Sequence, residues 1–85
     1  MKKIEVLGMG WAKCNQLEER AKDAVKELGI EAEVTKVKDI KTITNYGVLM
    51  TPALVVDGVV KVAGKVPKLE EIKEWIKWKG DNNGR

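Results

Sequence analysis

Cys14 is the only cysteine in the chain, and no histidine is present to activate it. It closes the segment Gly8-Met9-Gly10-Trp11-Ala12-Lys13-Cys14. An apolar run precedes this segment, and the residues after it have helical spacing. Two influences compete on the thiol. A helix N-terminus presents unpaired N–H groups and positive potential, and with Lys13 beside it this favours a thiolate. Cys14 also falls in register with Leu17 and Ala21 on the stripe a helix would bury, and burial favours the neutral thiol. Trp11, three residues earlier, is placed to lie over the sulfur. The sequence therefore points to a shielded thiol, and one reading of it is a slowly reacting thiol that forms mixed disulfides. The plainer reading is a small buried apolar residue at the head of a helix. A second feature, Met50-Thr51-Pro52, stands directly before another apolar run and by itself reads as a turn before a strand.

Composition limits the alternatives. The 85 residues are 44% apolar and 34% charged, which suits one small globular domain, expected over residues 1–79. One cysteine excludes an internal disulfide, and the absence of histidine excludes His/Cys zinc sites as well as Ser-His-Asp and Cys-His catalysis. No cofactor or metal is expected. The net charge of +3 comes from 16 basic and 13 acidic residues. The signs alternate along Glu18-Glu-Arg-Ala-Lys22-Asp23, so a solvated helix face explains them and nucleic-acid binding is not expected. No apolar run approaches the roughly 20 residues of a membrane span. Glu5 and Gly8 interrupt any leader-like segment behind Lys2 and Lys3. The expectation is a cytoplasmic protein without membrane contact, monomeric or weakly dimeric.

The elements that would position these residues follow from periodicity. Residues 3–7 read as a strand ending at Gly8 and Gly10. From 12 to 28, Cys14, Leu17, Ala21, Ala24, Val25 and Leu28 recur at spacings of three and four, and Gly29 stops the helix. Residues 30–37 alternate as a second strand. Asp39 caps a short helix running to about Tyr46, and Gly47 ends it. Two apolar strands, 53–57 and 59–63, meet at Asp57-Gly58, a strong hairpin signal. Pro67 precedes an amphipathic helix over 68–78 with Leu69, Ile72, Trp75 and Ile76 inward and Trp78 partly exposed, and residues 80–85 are expected to fray. The order is β-α-β-α-β-β-α. A helical crossover makes the first two strands parallel and the final hairpin is antiparallel, giving an α/β fold with a four-stranded mixed sheet and helices on both faces. The loop carrying Cys14 then sits at the carboxyl end of the first strand, where sites of open α/β sheets gather. Glu5, on an interior strand, could serve the thiol as a proton carrier. The plainer reading is a surface carboxylate paired with a lysine.

The chain resembles the small thioredoxin/glutaredoxin-like redox-active disulfide proteins of archaea and bacteria. The resemblance spans Lys3 to Trp78. It is carried by Gly8-x-Gly10-x-x-x-Cys14, the helix Leu17 to Gly29, Tyr46-Gly47, Thr51-Pro52-Ala53-Leu54, Val56-Asp57-Gly58, Gly64-x-Val66 and Glu70-Glu71-Ile72-Lys73. It implies a thioredoxin-like fold and thiol–disulfide exchange with a protein partner. It also implies a cis peptide before Pro52 and a docking surface for an extended peptide across Met9, Trp11, Thr51 and Pro52. The family pattern is Gly-x-Gly-Cys-x-x-Cys, with the first cysteine as nucleophile and the second resolving the mixed disulfide. Here Trp11 stands at the first position and Cys14 matches the second. The resemblance thus implies impaired dithiol chemistry. The alternative is a non-catalytic module that binds a peptide across Trp11 and Thr51-Pro52.

Overall fold

The computed structural model describes residues 2–10 and 12–77. Trp11 and the expected frayed tail at 80–85 therefore lie outside the described residues, as does Trp78, expected as the last residue of the final helix. The elements are β1 (Lys2–Leu7), α1 (Ala12–Leu28), β2 (Ala32–Val37), α2 (Ile40–Asn45), β3 (Ala53–Val56), β4 (Val59–Ala63) and α3 (Leu69–Lys77). The sheet order is β2-β1-β3-β4. β1 runs parallel to β2 and antiparallel to β3, and β3 pairs antiparallel with β4. The expected α/β architecture is the one observed.

Alternation along β1 and β3 builds a core on each face of the sheet. Ile4, Val6, Leu54 and Val56 meet Leu17, Ala21 and Ala24 of α1 and Ile72 and Ile76 of α3. On the other face Leu7, Ala53 and Val55 pack with Ile43 of α2 and with Val48. Leu69 and Trp75 pack against the first cluster as partly buried side chains. The strand expected from residue 30 begins at Ala32, and Ile30 is left exposed before it.

Chain reversals follow local chemistry. Asp57 and Gly58 both have positive φ, 50° and 84°, which are the signs a two-residue type I′ hairpin needs. The Asp57 carboxylate also accepts the Lys3 N–H at 2.9 Å and pairs with Lys2 at 3.2 Å, and the first of these bonds holds its carboxyl below the usual range. Asp39 caps α2 by accepting from the N–H and hydroxyl of Thr42. At the start of α3, the Glu71 side chain reaches back to the Lys68 N–H, one half of a capping box, and Arg20 of α1 donates to the Pro67 carbonyl at 2.7 Å.

Glu5 projects to the face opposite α1 and accepts a 2.6 Å hydrogen bond from the Tyr46 hydroxyl at the end of α2. Sequence reasoning missed this partner. The bond ties the short α2 to β1, and it pushes the Tyr46 phenol above its ordinary value because the neutral hydroxyl is what donates. A raised folded value means the contribution is fully present below pH 10 and is lost as the pH rises through the folded value. Tyr46→Phe is therefore expected to lower stability by about 1 kcal/mol in urea unfolding at pH 7. The gap to the parent chain should narrow at strongly alkaline pH.

Candidate functional site

One register row runs across the top of the sheet: Val37 of β2 opposite Leu7 of β1, Leu7 opposite Ala53 of β3, and Ala53 opposite Ala63 of β4. The residues just beyond this row form the site floor. The Gly8 N–H donates to the Val37 carbonyl at 3.0 Å, and the Gly64 N–H donates to the Pro52 carbonyl at 2.8 Å. Each bond extends the sheet by one step, so the loops after β1 and β4 and the segment before β3 are held at a common level.

Gly8 determines what can approach from above. It is buried, and a Cβ built on it would overlap the sulfur of Cys14. The same position lies 3.5 Å from Cys14 Cβ and 3.7 Å from Thr51 Cβ. The thiol therefore occupies the space a side chain would take, and Cys14 and Thr51 border the same small volume. Cys14 is 2% exposed, and the first turn of α1 contains no acidic residue to offset the positive helix end. The Thr51–Pro52 peptide bond is cis, with Thr51 exposed and Pro52 buried. Met50 leans over Gly64, its Cβ 3.1 Å from where a Gly64 Cβ would stand. Met9, in the loop after β1, is 48% exposed, and Leu49 and Met50 are exposed as well.

Of the residues singled out from sequence, the structure gathers Cys14, Thr51 and Pro52 at the carboxyl end of β1, with Met9 in the adjoining loop. Trp11 lies outside the described residues. Glu5 faces the other side of the sheet from α1 and is engaged with Tyr46, which removes the geometric basis for a proton carrier to the thiol. Two contributors escaped sequence reasoning. Gly8 read as a strand terminator and as part of the motif before Cys14 but not as a contact of its sulfur, although a glycine beside a site residue is itself a sign of close approach. Lys38, which follows β2, lays its Cε and Nζ 3.4 and 3.5 Å from where Gly10 would carry a Cβ, so its ammonium covers the loop leading to Cys14. Among the described residues no group of acidic or cysteine side chains is arranged to hold a metal ion.

The fold and this loop arrangement place the protein in a definite class. A family model described as "Thioredoxin domain" matches residues 2–77, and the chain belongs to that family. It is 47% identical over 74 residues to a protein named thioredoxin from Methanothermobacter thermautotrophicus, covering 87% of this chain and 96% of that one. It is also 47% identical over 74 residues to a thioredoxin from Methanocaldococcus jannaschii, of which 85% is covered. These similarities define a thioredoxin-like redox protein. No helix among the described residues is long and apolar enough to cross a membrane.

The Gly8–Cys14 contact makes a quantitative expectation. Gly8→Ala should cost about 1–3 kcal/mol through overpacking against the sulfur. In a Cys14→Ala background most of that cost should vanish, because the remaining neighbours stand at ordinary contact distance. A double-mutant cycle by urea unfolding measures the coupling.

Proposed function

We propose that the protein carries out thiol–disulfide exchange with a protein partner through Cys14 alone, with Trp11 standing where the family pattern has its first cysteine. The observation that supports this most is the placement of Cys14. Its sulfur lies at the head of α1, in the space beside Gly8 that Thr51 also borders, and Thr51 precedes the cis bond to Pro52. In the proposed reaction the Cys14 thiolate attacks one sulfur of a partner disulfide. A new S–S bond joins Cys14 to that sulfur, and the other sulfur leaves as a thiolate and takes up a proton. Without a second cysteine in the chain, an external thiol must attack the mixed disulfide, releasing Cys14 and carrying the oxidising equivalent away. Turnover is consequently slow, and slowed further by burial of the sulfur. The setting for this chemistry is the reducing cytoplasm.

A second reading is favoured by one observation of its own. The thiol is covered while Met9, in the loop leading to it, and Leu49 and Met50, just before Thr51, are exposed, an arrangement that suits a non-catalytic module holding an extended peptide across Trp11 and Thr51-Pro52.

Titration of the folded protein with a neutral disulfide reagent separates the two. Exchange predicts measurable modification of Cys14, slower than in the urea-unfolded chain. Modification seen only after unfolding rejects exchange and leaves the binding module. Trp11→Cys should restore a dithiol able to close into an internal disulfide and raise insulin reduction well above the parent's low level. A variant with both thiols free after mild oxidation would show that the loop lacks the assigned geometry.

A further inference from the structure

We propose that the partner segment docking over Cys14 is acidic, and that Lys38 and Lys13 select it. The proposal rests on the exchange reading and names the partner's chemistry. Among the described residues, the upper end of the molecule is built by residues 8–10 and 12–16, 38–42, 47–53 and 63–66. Together they contain the lysines 13, 38, 41 and 65 and a single carboxylate, Asp39. That carboxylate is already engaged by the N–H and hydroxyl of Thr42. All four lysines are exposed, and none forms an ion pair among the described residues.

Several lysines elsewhere are matched, although Lys3, Lys26 and Lys68 form no ion pair among the described residues. Lys36, only two residues before Lys38, is bonded to Asn15 Oδ1 at 2.8 Å and lies 3.6 Å from Glu18. Lys2 faces Asp57 at the far end of β1, and Lys73 faces Glu27. The lysines at the end where the thiol lies thus face a single, already engaged carboxylate within these stretches, and the first turn of α1 adds its own positive potential with no acid to cancel it. Lys38 is the best placed of the four, with its ammonium 3.5 Å from where a Cβ on Gly10 would stand, on the glycine side of the loop leading to Cys14. The exposed Met9, Leu49 and Met50 supply apolar contact beside these charges. A segment that combines apolar side chains with Asp or Glu near its cysteine complements both features. Its approach would be steered by the field, and its carboxylates would stand near Lys38 and Lys13 while the sulfurs meet.

The test uses three short peptide disulfides whose cysteine is flanked by glutamate, serine or lysine. Rates of mixed-disulfide formation with the folded full chain are divided by each peptide's rate with the neutral thiol 2-mercaptoethanol. The glutamate peptide should react at least about tenfold faster than the lysine peptide at low ionic strength, and the gap should close as salt screens it. Lys38→Gln should shrink the gap severalfold, and Lys38→Gln with Lys13→Gln should nearly abolish it. Lys26→Gln makes the same change in net charge at the far end of α1 and should leave the gap intact. Reaction with the serine peptide but no discrimination between the charged ones overturns the acidic-partner proposal and leaves exchange standing. An equal effect of Lys26→Gln overturns it too, by reducing the preference to net charge. Failure of the serine peptide to react with the folded chain overturns the exchange reading itself and the proposal with it.

Discussion

The sulfur of Cys14 fills the volume that a side chain at residue 8 would need, and much of the site depends on that exclusion. With a glycine at the end of β1, the first turn of α1 can descend until its thiol rests against the strand backbone. The same clearance brings Thr51 to the edge of this volume. The loop after β1 and the segment before β3 are then held level by the bonds from Gly8 to Val37 and from Gly64 to Pro52. Any residue with a Cβ at position 8 would have to lift the helix head or turn the sulfur away. The site is therefore a packing solution before it is a chemical one, and close-packed interiors leave little slack for such changes.

The two faces of the sheet divide the work of holding that geometry. Ile4, Val6, Leu54 and Val56 receive α1 and α3, fixing the helix that carries the thiol. The opposite face is smaller and is covered by the short helix α2, whose Ile43 is its one buried residue. A six-residue helix contributes little stability of its own. Its attachment comes from caps and bonds at its ends, Asp39 to Thr42 at the start and Tyr46 to Glu5 at the finish. The Glu5 carboxylate, placed on an interior strand where a charge is costly, thereby serves as an anchor for α2.

Most of the architecture was legible in the residues because their periodicities are unambiguous. The stripe Cys14, Leu17, Ala21, Ala24 emerges buried along α1, and Asp57-Gly58 makes the turn its type demands. What stayed hidden depends on contacts between distant segments. Glu5 and Tyr46 are 41 residues apart, and no local pattern announces that a strand carboxylate will meet a tyrosine at the end of a helix. Gly8 showed as a glycine but not as the seat of a sulfur. The lysines 13, 38, 41 and 65 are scattered through a sequence of nearly balanced charge, so their concentration at one end becomes visible only once strand directions are known. Ile30 illustrates the reverse failure: alternation extended the strand by two residues into a turn where no partner strand remains.

The charged rim and the thiol cradle stand in different relation to the fold. The cradle follows from close packing, since the core on the α1 side and the clearance at Gly8 together leave one position for the sulfur. The rim does not: Lys13, Lys38, Lys41 and Lys65 are exposed, support no ion pair among the described residues, and could be exchanged for neutral residues without disturbing the buried clusters. Exposed like charges gathered at one end repel one another weakly in water and contribute nothing to folding. The proposed acidic partner would give their placement at the thiol end, on the same loops as exposed methionines and a leucine, a use that folding does not supply.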